Sequence, residues 1–261
     1  MPCDSHSLLL FISLELEGGG SIDGNRNNVD DRSTTMPTLA GAPVKPWYMV
    51  AAANVTKVAH LFALTVFVLV LAWVLHFRGG AARLNSDDPN LIFNVHPLVM
   101  CLGFILISGE GIMAYKMLLT THAVQKSVHM MLHLVALGLG ILGIYAAFKY
   151  HKANTMPDMV SLHSWLGICT ISLFGLQWLI GFASFWLGMA SQFTKQMLVP
   201  FHKSAGLVIF LIMVCTAETG FVQMDAAPGT ESRVVNFTGL FILLFALAVS
   251  FSVALPIVLS L

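Results

Sequence analysis

Charge is what this chain lacks most. Of its 261 residues, 13 are Lys or Arg and 13 are Asp or Glu, 10% in all, against 57% hydrophobic. A soluble domain carries about a quarter charged residues, so this chain has too few to cover a water-facing surface of its size. The charges also cancel, which leaves no electrostatic bias toward nucleic acid. Cysteine is scarce: there are four, and Cys101, Cys169 and Cys215 lie inside apolar runs, where they read as small core residues rather than a disulfide framework. No Gly-rich phosphate motif occurs, so a soluble dinucleotide domain is excluded. Polar sequence is concentrated in residues 1–45, rich in Gly, Asn, Asp, Ser and Thr. The apolar patch there, residues 8–14, lacks a preceding basic region and is followed by Glu15 and Glu17. It is too short to span a bilayer and a poor secretory signal. Residues 1–45 are expected to form a disordered tail, and 46–261 one transmembrane domain.

What the chain has instead is length of apolar sequence. Six runs, near 55–77, 93–116, 127–149, 160–187, 198–223 and 234–260, can each cross about 30 Å of hydrocarbon. The connections are short and carry the breakers, among them Gly79-Gly80, Asp87-Asp88-Pro89, Asn154 to Pro157, Gly188 and Pro228-Gly229. The expected fold is therefore an all-α membrane protein of six transmembrane helices, sequential helices antiparallel, with both termini on one side. Lys45, Lys57, Lys116, Lys126, Lys195 and Lys203 fall toward that side. Arg78, Arg83, Lys149, Lys152 and Arg233 fall toward the other. The positive-inside tendency then puts both termini in the cytosol.

Among ten histidines, four form a series. His96, His129, His163 and His202 each follow the start of one of the four middle spans, at successive spacings of 33, 34 and 39 residues. In an antiparallel bundle His96 and His163 lie at one outer depth, and His129 and His202 at one inner depth. Each pair can supply two axial nitrogens to a haem iron held between helices. Gly138, Gly140 and Gly143 in the third span, and Gly167, Gly175 and Gly181 in the fourth, let helices or a macrocycle approach closely. One histidine near a helix end is usually an interfacial anchor; four at matched depths are not, because ionisable residues within a membrane are rare and mostly functional. His133, one turn after His129, is the alternative ligand, but it breaks the depth match with His202. His129 and His133 also have the i, i+4 spacing of a zinc site, with no Cys or acid evident beside them. His60 reads as a packed or interfacial residue. Glu110, Gln177 and Glu218 read as interhelical hydrogen-bonding groups, with no continuous chain of such residues for a proton relay. Lys126, Lys195 and Lys203 offer ammonium groups near the inner pair for haem propionates or an anionic substrate; Lys126 lies one turn before His129.

The stretch Ser161-Leu162-His163-Ser164-Trp165, with the four histidine spacings, resembles the cytochrome b-561 family of transmembrane ascorbate-dependent oxidoreductases. Phe93-Asn94-Val95-His96-Pro97 and Ala114-Tyr115-Lys116 look like its plant members. The resemblance covers about residues 50–225. It implies six helices whose central four form a bundle holding two haems b. It implies ascorbate as the cytosolic electron donor, and monodehydroascorbate or a ferric chelate as the acceptor on the other side. By the same resemblance His129 and His202 match the inner ligands, and His96 and His163 the outer ones. Lys116, His122, Lys126 and Lys195 match positions near the inner haem and its ascorbate. Pro157, Asp158, Met159 and Val160 match a loop contacting the outer haem, and Gln223 a position where some members place an acid near a haem. There are departures. His122 stands where many members have Lys, and Lys116 where many have Arg, so the inner pocket carries less fixed positive charge. Val160 replaces a Tyr of some plant members, leaving Tyr150 and His151 as the outer substrate contacts. Vacuolar, vesicular and plasma membranes are all compatible with the family, and a homodimer stays open. The rival readings are a haem-binding membrane subunit of a larger redox complex, and an ion or proton transporter using the His and Glu residues.

Overall fold

The computed structural model describes residues 47–81, 86–224, 226 and 228–258. The tail expected over residues 1–45, Lys45 within it, and Arg83 lie outside the described residues. Among the described residues six helices are long and apolar enough to cross a membrane: α1 (Trp47–Phe77), α2 (Pro89–Met117), α3 (His122–Ala153), α4 (Leu162–Trp186), α5 (Gln192–Val222) and α6 (Thr230–Leu255). Five of them begin earlier than the apolar runs suggest, at Trp47, Pro89, His122, Gln192 and Thr230. Polar first turns do not register as apolar sequence, yet they stay helical beyond the hydrocarbon. His122, expected in a loop, is the first residue of α3.

The helix starts have local causes. The Asp88 side chain accepts from the Asn90 amide at 2.9 Å with Pro89 at the first helical position, where its missing N–H costs nothing. Ser161 accepts from the Ser164 amide at 3.2 Å, and Ser191 from Thr194 at 3.2 Å. The Ser161 cap fixes where α4 begins, and so places His163 in its first turn. Pro97 lies just after His96, and a π-helical stretch, Val99–Leu106, follows it. Shorter π-helical stretches end α1 and α4, at Trp73–Phe77 and Phe182–Trp186. Such segments rotate the side chains beyond them and are frequent at functional sites.

Helices α2, α3, α4 and α5 pack as a closed ring, each against the next and α5 back against α2. Helix α1 packs chiefly along α6, and α6 sits on α2 and α5. The α1/α6 side is filled by apolar side chains without exposure, Val66, Ile242, Phe245 and Val249 among them. The starts of α2 and α4 share the face opposite the termini; the starts of α3 and α5 share the face on which the chain enters and leaves α1 and α6.

Candidate functional site

The four histidines meet as two pairs. At the face opposite the termini the His96 and His163 rings lie 5.9 Å apart, centre to centre, with planes at 85°. At the terminal face His129 and His202 lie 6.2 Å apart at 63°. Each gap has room for one metal atom between two imidazole nitrogens, since metal–imidazole bonds are about 2.0–2.1 Å.

The ring orientations are set by backbone. His96 Nδ1 donates to the Gly143 carbonyl at 2.9 Å, His163 Nδ1 to that of Thr216 at 2.8 Å, and His129 Nδ1 to that of Gly111 at 2.8 Å. A carbonyl can only accept, so these three rings carry their proton on Nδ1 and present an unprotonated Nε2. Metal-ligating histidines are almost always held this way. The fourth ring, His202, has the edge of Phe185 at 5.4 Å. Glycines on the neighbouring helix make room for two of the rings. A Cβ at Gly220 of α5 would stand 2.8 Å from His163 Cε1, and one at Gly181 of α4 would stand 3.0 Å from His202 Cε1. Among the described residues no three His, Cys, Asp or Glu side chains converge as a metal cage. The donor set is thus two imidazoles per site, which suits the axial positions of a metal already held in a ring and not a zinc ion.

A cavity of about 570 Å³ opens at the outer pair, within the range of cofactor sites. His96 and His163 line it, as do Tyr150, His151, Pro157, Met159, Val160 and Gln223 of the sequence-predicted set. Asp158 instead accepts from His151 Nδ1 at 2.9 Å. Met159 adopts a positive φ of 59°, a conformation rare for a residue with a side chain, and this turns the loop over the cavity.

At the inner pair Lys126 donates to the Phe185 carbonyl and lies 5.5 Å from the Trp186 ring. It is thereby tied to the end of α4. His122 is exposed, and its ring is 5.5 Å from that of Tyr115, which is itself 5.4 Å from His129. Lys116 donates to the Ser252 carbonyl of α6, directed away from the ring of four helices. Lys195 stands in the first turn of α5, about two turns before His202. His133 stacks on Phe174 at 5.6 Å and 10°, while His129 faces His202. Phe174 in turn meets Phe104 at 5.0 Å, and Phe104 lines the outer cavity. Residues that sequence reasoning missed are the carbonyls of Gly111, Gly143 and Thr216, and the packed aromatics Phe174 and Phe104. Gln177 donates to the His202 carbonyl at 2.6 Å, and Glu110 accepts from His60 at 3.0 Å, as interhelical groups do. Glu218 has one buried oxygen without a partner.

The family model described as eukaryotic cytochrome b561 matches residues 95–227. Over 217 residues the chain is 42% identical to a probable ascorbate-specific transmembrane electron transporter 1 of rice (Oryza sativa subsp. japonica), covering 79% of this chain and 92% of that one. It is 41% identical over 200 residues to transmembrane ascorbate ferrireductase 1 of Arabidopsis thaliana, covering 73% and 83%. To transmembrane ascorbate ferrireductase 2 of the same plant it is 35% identical over 231 residues, covering 85% and 95%. The match takes in all four paired histidines and the Ser161 start of α4, and haem b is the cofactor the family implies. The chain belongs to the eukaryotic cytochrome b561 family.

Proposed function

We propose that this chain is a transmembrane ascorbate-dependent oxidoreductase that passes single electrons between two haems b, one at each end of the α2–α5 bundle. The observation that carries this reading is the pairing of four histidines at two depths, with three of the rings turned by backbone carbonyls to present Nε2 into the gaps. His129 and His202 hold the inner haem, His96 and His163 the outer. The haems would supply one-electron storage; the protein would supply the histidine nitrogens and the packed Phe104 and Phe174 between the two pairs, with a cavity at the outer one. The names of the plant relatives support ascorbate as donor and a ferric species as one acceptor.

Donor entry is at the terminal face, read as cytosolic from its lysines. There Lys126 and His122, with Lys195 nearby, supply the positive charge for an anionic donor and for haem propionates, and Lys116, tied to α6, does not. On the outer side monodehydroascorbate or a ferric chelate approaches the cavity rim at Tyr150 and His151, with Val160 and Gln223 lining it. Vacuolar, vesicular or plasma membrane all suit this vectorial chemistry, and a homodimer would leave both openings accessible. The test is a visible spectrum of the purified protein. Two low-spin b-type haems per chain, reducible by ascorbate alone, are expected. One haem, or two that need a second protein for reduction, would favour a subunit of a larger complex; none would favour a transporter.

A further inference from the structure

The bundle's outer flank carries an ionisable pair that the two haem sites do not use. His60 of α1 and Glu110 of α2 share a hydrogen bond, Nδ1 to Oε1, of 3.0 Å. Both lie within spans. Glu110 is seven residues from the inner end of α2 at Met117, about 10 Å of helix. An acid and an imidazole at that depth are expensive unless they pair, and such residues are functional by default. A file of polar groups leads from them toward the terminal face. One turn before His60, the Thr56 hydroxyl meets that of Ser252 on α6 at 2.6 Å, and the Ser252 carbonyl accepts from Lys116 at the end of α2.

The pair is at the depth of the inner haem site. Glu110 precedes Gly111, whose carbonyl receives the Nδ1–H of His129. We propose that His60 and Glu110 form a redox-linked proton site, taking up one proton from the cytosolic side when the inner haem is reduced and releasing it when the electron moves on. This rests on His129 and His202 holding that haem. Ascorbate monoanion loses one electron and one proton in becoming monodehydroascorbate; the electron reduces the iron from ferric to ferrous, and the pair binds one proton from water at that face. An added electron in a low-dielectric bundle is an uncompensated charge, and a proton bound nearby offsets it. Two hydrogen-bonded groups exchange that proton as a unit.

The other ionisable groups on the packed elements are few. Helix α1 adds Lys57, and α2 adds Tyr115 and Lys116. Helix α6 has none between Arg233 and its end. In its terminal half helix α3, on the far side of α2, has His122, Lys126, His129 and His133, and α5 has Lys195, His202, Lys203, Cys215 and Glu218. His60→Asn keeps a side-chain donor toward Glu110 and removes the exchangeable proton, and Glu110→Gln keeps the shape and removes the charge.

The experiment is a redox titration of both haems in the full-length, haem-loaded protein between about pH 5 and 8. It is paired with infrared difference spectra of reduced minus oxidised protein. In the wild type the inner potential is expected to fall as pH rises. In both variants that slope should flatten while the outer haem keeps its own, and the carboxyl signal that follows reduction should vanish in Glu110→Gln. Wild-type slopes and an unchanged carboxyl signal in variants with full haem content would overturn the proposal, leaving the pair as a helix–helix contact. Failure of the underlying haem assignment would show separately, as a His129→Ala protein that keeps both haems.

Discussion

At the outer end of the bundle, His96 and His163 both donate to backbone carbonyls and border an open cavity roofed by the Pro157 to Val160 turn. At the inner end His129 alone does so; His202 is set by Phe185 and by the space over Gly181, and the surroundings are aromatic and cationic. Both outer rings are oriented by main chain, and so is inner His129; only His202 is set by side-chain packing. Main-chain acceptors move only if a helix moves. Three of the four rings are therefore pre-set as soon as α2 to α5 pack, whereas His202 depends on which side chains surround it. The proposed function places donor entry at the inner end and the acceptor at the outer end.

The largest effect expected is loss of one haem from one end. His96→Ala or His163→Ala should halve haem content and leave the inner spectrum; His129→Ala or His202→Ala should do the reverse. His133→Ala should retain both haems, because its ring stacks on Phe174 while His129 faces His202. Haem-to-protein ratio and low-temperature spectra measure this. Retention of the inner haem in His129→Ala with its loss in His133→Ala would reverse the assignment. His129 and Gly143, whose carbonyl holds His96, are 14 residues apart on α3, about 21 Å of helix, so the two irons should lie about 20 Å apart.

A smaller effect separates the ends by their glycines. Gly220→Ala would drive a methyl within 2.8 Å of the outer ligand His163, and Gly181→Ala one within 3.0 Å of the inner ligand His202. Displacing what orients a ligand typically costs about 10–100-fold in metal affinity. Gly220→Ala is expected at the upper part of that range, because the neighbouring Nδ1 is tied to the Thr216 carbonyl and the ring cannot retreat. His202 has more freedom to yield. Haem retention during dilution or competition with apo-protein would rank the two variants; equal losses would remove the distinction drawn here between main-chain and side-chain orientation.

Much of this frame was legible in residues. Apolar runs separated by Gly, Pro and Asp gave six helices, and the period of one span plus one loop gave the two histidine depths. The Ser161 to Trp165 stretch carried the family resemblance, but that Ser161 caps α4 and puts His163 in its first turn came only from the structure. The acceptors that turn the rings were not legible, because every residue has a carbonyl and only packing selects Gly111, Gly143 and Thr216. Helix ends were misjudged where polar first turns extend past the apolar run, which is why His122 was expected in a loop. The stacking of His133 on Phe174 lies in tertiary contact between α3 and α4, which spacing along one helix cannot give.

The finest test of the comparison concerns charge at the donor opening. Lys126 precedes His129 by about one turn and is held against the end of α4 by the Phe185 carbonyl and the Trp186 face. It is therefore a fixed cation beside the inner pair. His122 is exposed at the first residue of α3, with Tyr115 between it and His129. An ascorbate anion drawn to both would sit over Tyr115, next to the inner ligand. Lys126→Ala should slow reduction by subsaturating ascorbate several-fold across the neutral range, with no change in the rate at which electrons leave the outer end. His122→Lys, which puts an ammonium group at the first residue of α3, should speed reduction relative to wild type at the same pH. Because ascorbate has its own proton chemistry, each comparison is made at one pH, by stopped-flow absorbance of the inner haem. Screening decides between steering and structure: an electrostatic contribution from exposed His122 should shrink as ionic strength rises, since charges are screened over about 8 Å at physiological salt. A Lys126→Ala protein reduced at the wild-type rate would place donor entry elsewhere and leave Lys126 as a strut joining α3 to the end of α4.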